Sequence, residues 1–251
     1  MKYWLWLSQL PYIGLMTANR LLNMYKTPEA IFNLTESDVN QCHFLNTRQR
    51  RSILENKDIG VADSIVDKCV KSDISIMSQG DIIYPQRFRN HDDSPLILFY
   101  KGKLKTLDKT VAIVGARRCT QEMKYKTVEI TNEYISQNYD IVSGMAKGID
   151  SYAHTACIKA AGYTVAVVAS GLDICYPSEH LKLMESIIEN GAIISEYPPQ
   201  TRPAKYRFPQ RNRLISALSD EVVIIGASKG SGALITAEYA RKYDKMVKMI
   251  Q

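Results

Sequence analysis

The chain has 251 residues, 45% of them hydrophobic, which suits one large α/β domain or a small domain followed by a medium one, each with a buried core. A net charge of +6, from 32 basic against 26 acidic residues, permits an anionic partner without requiring one, so where the charge sits matters more than its sum. The five cysteines, Cys42, Cys69, Cys119, Cys157 and Cys175, form no CxxC pair and point to reduced thiols rather than a disulfide framework or zinc site, and no apolar run reaches the ~18 residues of a membrane-spanning helix.

The opening Met1-Lys2-Tyr3-Trp4-Leu5-Trp6-Leu7 is broken by Ser8, Gln9 and Pro11, too early for a secretory leader, so the expected location is the cytoplasm. From there to residue 72 the apolar period is helical. Leu15, Ala18, Leu22 and Tyr25 are spaced three and four apart on one face, and Val61, Ile65 and Cys69 repeat the pattern. Thr27-Pro28 and Thr35-Glu36-Ser37-Asp38 predict helix starts. Residues 1–72 are therefore read as a small all-α N-terminal domain and 73–251 as an α/β domain.

The second part opens with two extra strands, at 74–77 and 96–100. Short apolar runs follow at 111–114, 140–143, 164–169, 192–195, 221–226 and 246–250, bounded by glycine or polar residues as in strands buried on both faces. Between them lie helical stripes, Ala153, Ala156 and Ala160 in one and Leu181, Met184 and Ile188 in another. Strand and helix in alternation predict right-handed βαβ units and a parallel sheet.

Ligands of such sheets gather beyond the carboxyl ends of the strands. Gly115-Ala116-Arg117-Arg118 follows the first run, where glycine allows a tight turn and a helix start offers free N–H groups. Ser143-Gly144-Met145-Ala146-Lys147-Gly148 follows the second, Ser170-Gly171-Leu172-Asp173 the third, and Gly226-Ala227-Ser228-Lys229-Gly230-Ser231-Gly232 the fifth. The fourth loop is the most informative. Between Glu196 and Asp220 there is no acidic residue, while Arg202, Lys205, Arg207, Arg211 and Arg213 alternate with Tyr197, Tyr206 and Phe208. Cations neutralise phosphates and aromatic rings stack on bases of any sequence, so this pattern favours a single-stranded nucleic acid over a lone mononucleotide.

Other chemistries have weaker support. Asp150 and His154 lie four apart on a predicted helix, but neither a nucleophile nor a second carboxylate accompanies them; Asp150 reads as a first-turn partner of the helix dipole. Gly230-Ser231-Gly232 has Ile235 where a dinucleotide fingerprint needs its third glycine, and Gly-Lys-Ser/Thr never occurs, so neither a nicotinamide dinucleotide nor a Walker phosphate loop is indicated. No metal or cofactor is required. Two rivals to DNA binding stay open. One is a scaffold whose basic loop meets an acidic protein. The other is an enzyme of the nucleoside-monophosphate phosphoribohydrolase type, whose P-G-G-x-G-T-x-x-E motif Ser231-Gly232…Thr236-Ala237-Glu238 loosely resembles, without the proline and with a shorter Thr–Glu spacing.

Taken together, the loops resemble the DprA/Smf family of DNA-processing proteins. The phrases that carry the resemblance run in order: Tyr84-Pro85; residues 95–102; residues 111–117; residues 142–150 with His154; Gly171-Leu172-Asp173 with Tyr176-Pro177; Ser195-Glu196-Tyr197; residues 208–215; and residues 231–237. The resemblance implies an extended Rossmann-like parallel-sheet domain, preceded by a sterile-alpha-motif-like (SAM-like) helical domain that fits residues 1–72. It implies a non-catalytic protein that binds and protects single-stranded DNA during natural transformation, forms a homodimer, and loads the RecA recombinase. Arg117 takes the place of the family's DNA-contacting arginine, with Lys147, Arg211 and Arg213 at further basic positions.

The expected DNA-contacting set is Gly115, Arg117, Arg118, Ser143, Gly144, Lys147, Lys182, Tyr206, Phe208, Arg211, Asn212, Arg213, Ser231 and Gly232. Two substitutions depart from the family: Ser178 stands where many members have a DNA-contacting lysine, leaving Lys182 as the substitute, and Ala116 replaces a serine. The domain also reads as shortened at its C-terminus, since members continue into dimer-forming helices. Near the start, Leu10-Pro11-Tyr12-Ile13-Gly14 is similar to a helix–hairpin–helix turn, but Tyr12 occupies the first glycine place and its Cβ hampers close approach, so the segment is read as structural.

Overall fold

Helices α1 (Lys2–Gln9), α2 (Leu15–Tyr25), α3 (Pro28–Phe32), α4 (Glu36–Gln41), α5 (Thr47–Glu55) and α6 (Gly60–Lys71) occupy the first part of the chain, in a computed structural model that describes residues 1–89, 91–228 and 230–251. Thr27 and Thr35 cap α3 and α4 by accepting from Ala30 N and Asp38 N, and Asp38 completes a capping box. The α2 stripe buries Ala18 and Leu22 as its spacing predicts. In α6 Ile65 and Cys69 are buried, but Val61 is exposed and Ala62 takes its place facing inward.

Met1–Leu98 forms one compact unit and Phe99–Gln251 a second. Helical structure ends at Lys71, close to the change of periodicity, yet strand β1 (Ser75–Ser78) and the residues after it belong to the first unit. The reason is polar tethering: Asn19 on α2 donates to the carbonyls of Asp92 and Ser94, and Gln79 donates to Asn19.

In the second unit the strands are β2 (Ile97–Gly102), β3 (Thr110–Gly115), β4 (Asp140–Ser143), β5 (Thr164–Val167), β6 (Gly191–Ser195), β7 (Glu221–Ile225) and β8 (Met246–Ile250), in the spatial order β2-β6-β5-β4-β3-β7-β8. All the pairings from β6 through β8 are parallel, as the alternation predicts. Strand β2 instead runs antiparallel to β6, with Phe99 opposite Ser195 and Gly102 opposite Ala192. Gly102 closes that pairing at φ +93°, where an added Cβ would lie 2.4 Å from Gly191 O.

Helices α7 (Gln121–Ser136), α8 (Ile149–Lys159), α9 (Leu181–Asn190), α10 (Arg207–Leu218) and α11 (Gly232–Lys242) connect the strands. One face of the sheet buries Val111, Ile113, Ile141, Val223 and Ile225 against Ile130 and Tyr134 of α7 and Ile149, Ala153 and Cys157 of α8. The alternate residues of those strands point to the opposite face, where α10 and α11 pack on each other. Ala160 and Leu181 of the predicted stripes are exposed, and α9 buries Met184 and Ile187. The unit is an α/β, Rossmann-like sheet with helices on both faces.

Candidate nucleic-acid interface

Strands β3, β4, β5 and β7 run in one direction, so the loops after them share a rim. Glycine allows those loops to close on one another. At Gly115 a Cβ would lie 2.1 Å from Ile225 O, which would push β3 and β7 apart. Gly148, at φ +80°, would place a Cβ 2.2 Å from Ala116 O, and Ile149 N donates to that same oxygen at 3.1 Å. The loop after β4 is thereby fastened to the loop after β3.

Beneath the rim lies a buried ion cluster. Arg211, 4% exposed, donates from Nη1 to Gly144 O at 2.6 Å and to Val167 O, and from Nε to Asn212 Oδ1 at 3.1 Å. Asn212 in turn donates to Gly232 O at 3.0 Å, joining α10 to the start of α11. Asp150, in the first turn of α8, accepts from Gly144 N at 3.2 Å and Ala146 N at 3.4 Å. Burial pushes the Asp150 carboxyl up, opposed by the Arg211 guanidinium and by the N–H groups of Ala146, Gly115 and Gly144. Burial also brings the Arg211 guanidinium down to about 10, opposed by Asp150. N–H groups converge on the carboxylate and carbonyls on the guanidinium, an arrangement that favours the charged form of each.

His154 is fully buried below this cluster, with Nδ1 2.7 Å from Thr164 Oγ1. Thr164 gives its own proton to Ile141 O, so Nδ1 of the ring carries the hydrogen. Burial, then the charges of Arg211 and His180, hold His154 down to about 3. A neutral ring and a carboxylate already committed to main-chain N–H groups are not arranged for acid–base work.

Three of the expected contacts are buried on internal partners. Arg211 is not a surface cation: the carboxyl ends of β4 and β5 present unpaired carbonyls, and its guanidinium satisfies them. Arg213, with 8% of its side chain exposed, is ion-paired to Glu196, itself 13% exposed. Ser143 is completely buried and donates to Ile113 O at 2.6 Å, because it is still within β4 and faces its neighbouring strand.

Among the described residues, the exposed cations that line the pockets of this rim are Arg117, Arg118 and Lys147. The Arg117 guanidinium carbon sits 5.4 Å from the centre of the Phe208 ring, and Phe208 lies 5.6 Å from Tyr176. Lys147 is ion-paired to Glu179, both about half exposed. These side chains line two adjoining pockets. One, of about 60 Å³, holds Arg117, Lys147, Tyr176, Pro203 and Phe208. The other, of about 470 Å³, holds Gly115, Arg117, Arg118, Asp150, Asn212, Ser231 and Gly232. Arg117, Ala146, Phe208 and Arg211 belong to both.

Of the expected set, Gly115, Arg117, Arg118, Gly144, Lys147, Phe208, Arg211, Asn212, Ser231 and Gly232 thus come together. Ser143, Lys182, Tyr206 and Arg213 do not line either pocket. Tyr206 is exposed with Arg207 over its ring at 5.2 Å, and Lys182 is exposed on α9. Lys229 of the fifth loop lies outside the described residues. Asp150, Tyr176, Ser228 and Thr236 line the pockets without having been in the expected set. Tyr176 carried a readable signal, an aromatic residue shortly after the third strand; Ser228 and Thr236 carried none beyond their place after the fifth.

Comparison with known proteins places this rim in a family. The family model for DNA recombination-mediator protein A matches residues 75–251. This chain belongs to that family. Protein Smf of Synechocystis is 30% identical over 98% of the chain and 63% of the relative, and DNA processing protein DprA of Bacillus subtilis is 40% identical over 65% of the chain and 56% of the relative. The chain therefore spans about three fifths of the length of these curated relatives. DprA of Streptococcus pneumoniae superposes with a TM-score of 0.84 at 29% identity, covering 100% of this chain and 87% of that one. DprA of Helicobacter pylori, a structure described for its single-stranded DNA binding mode, superposes with a TM-score of 0.65 at 34% identity, covering 70% and 80%. In this DprA/Smf chain the loops that carry the family phrases are the same loops that build the two pockets.

Proposed function

We propose that the rim binds single-stranded DNA without catalysing a reaction on it, and that the protein acts in the cytoplasm, protecting DNA and loading RecA during natural transformation. One observation carries the DNA reading: Arg117 stacks on Phe208 at the border of two pockets that Arg118 and Lys147 also line. Cations beside an exposed aromatic edge match alternating phosphates and bases, and the match does not depend on base identity. The Helicobacter pylori relative's single-stranded DNA binding mode supports the same reading.

Fluorescence anisotropy with oligothymidylate and with a duplex of equal length tests it. The single strand binds tighter, because only unpaired bases can stack beside Phe208 and Tyr176. Equal affinity for the duplex would remove the stacking element. The non-catalytic reading rests on Asp150, committed to main-chain N–H groups, and on His154, fully buried with Nδ1 on Thr164. Steady release of adenine from AMP would overturn it in favour of phosphoribohydrolase chemistry. RecA loading, and pairing with a second copy, are proposals for the whole protein by kinship with the DprA relatives. Acceleration of RecA filament growth on protein-coated single strands tests the loading.

A further inference from the structure

The exposed cations of the rim sit on loops that have no regular structure of their own. A loop free to move loses conformational freedom when a ligand fixes it, and that loss is subtracted from affinity. The loops after β3, β4 and β5 are instead tied to one point. Asp150 accepts from Gly144 N and Ala146 N, and the Gly115 N–H also favours its charged form. Arg211 reaches from the other side and bridges Gly144 O to Val167 O. Gly144 therefore has both main-chain groups held by side chains of opposite charge, and a Cβ there would lie 2.3 Å from Arg211 Nη1 and 2.7 Å from Asp150 Oδ2.

We infer that Asp150 and Arg211 are positioning residues for DNA binding: acting through the main chain of three loops rather than by touching phosphate, they hold Arg117 and Lys147 at a fixed separation. The inference rests on the single-stranded DNA reading of the rim and names what keeps that rim in register. The residue types suit the task. Nη1 meets the carbonyls at the ends of two neighbouring parallel strands while Nε of the same plane reaches Asn212 Oδ1, a fork that a guanidinium supplies and an ammonium does not. A guanidinium buried there needs a carboxylate, and that carboxylate collects the N–H groups of the same loops. The two charged side chains thus give the strand ends a fixed direction.

The test uses the full chain with Asp150→Asn, Arg211→Gln and the double variant Asp150→Asn/Arg211→Gln. Three quantities are read: thermal midpoint, salt dependence of oligothymidylate affinity, and amide exchange at Gly144 and Ala146. Each single variant strands a charge and melts earlier; the double strands none and recovers most of its midpoint. Affinity does not recover with it. The double variant binds about tenfold more weakly than the parent, the size of one lost charge-assisted hydrogen bond. Its salt slope is unchanged, because the same phosphates are met, and its Gly144 and Ala146 amides exchange fast while the strands stay protected.

Affinity that returns together with stability would make the pair merely structural and overturn the inference. So would loop amides that stay protected in the double variant. A slope shallower by about 0.7 would also overturn it, since Arg211 would then be meeting a phosphate itself. If the parent protein ignored oligothymidylate at low salt, the DNA reading would fall by itself. The exchange measurement would still decide whether the pair holds the loops.

Discussion

Raising sodium chloride from 50 to 200 mM is expected to weaken oligothymidylate binding about 20-fold. The figure follows from burial. Of the six cations in the expected contact set, Arg117, Arg118 and Lys147 are exposed on the pockets, Arg211 and Arg213 are buried on internal partners, and Lys182 lies away from both pockets. Each phosphate contacted on a single strand lowers log K by about 0.7 per tenfold rise in salt, so three contacts give a slope near −2.1, and a fourfold rise removes about 1.3 log units. Six contacts would give a slope near −4.2 and a loss of about 300-fold over the same range. Anisotropy titrations at several salt concentrations separate the two. Arg117→Ala should bring the slope to about −1.4 and weaken binding to all sequences alike. A slope of about −4 in the parent would refute the burial argument, because the internal cations would have to leave their partners. An unchanged slope in Arg117→Ala would take that residue off the phosphates.

Arg213→Ala should cost about 3–5 kcal/mol in urea unfolding, because it removes the guanidinium paired with the Glu196 carboxylate in a site where little of either side chain reaches water; a loss under about 1 kcal/mol would show the pair to be inconsequential. Glu179→Ala should tighten DNA binding by no more than about fivefold, since it frees Lys147 from a half-exposed ion pair; weaker binding in the variant would show that Glu179 does not compete with phosphate. His154 sets a pH dependence. Its pKa is depressed in the folded protein from 6.5 to about 3, so the unfolded chain takes up the proton first. The stability it confers is complete above pH 6.5 and is lost as the pH falls, at about 1.4 kcal/mol per unit, or about 2 kcal/mol by pH 5. His154→Gln should unfold with a flatter dependence between pH 7 and 5. Identical dependence in variant and parent would mean that some other group is responsible.

The strands of the second unit could be read from the sequence because each is a short apolar run closed by glycine or a polar residue, and burial on both faces leaves that trace. The helix starts at Thr27 and Thr35 were legible for a local reason as well: cap and capped N–H are three residues apart. Arg211 and Arg213 were misplaced because charge is visible in a sequence and burial is not. Arg211 finds its carbonyl partners 67 and 44 residues away, and no local pattern anticipates them. Ser143 was read both as the end of the run 140–143 and as the start of the loop after it; it closes β4, and its hydroxyl meets Ile113 O. The antiparallel direction of β2 was equally hidden, since a strand's apolar run reads the same either way.

The lining of the larger pocket begins at Val114 on β3 and ends at Thr236 on α11. A ribosome must therefore deliver the four intervening strand–helix–strand crossings, and α11 after them, before that surface is complete. Until α11 arrives, the wall of that pocket formed by Ser231, Gly232 and Thr236 is missing. Affinity for nucleic acid should rise when α11 is delivered, and fragments that stop before it should bind less.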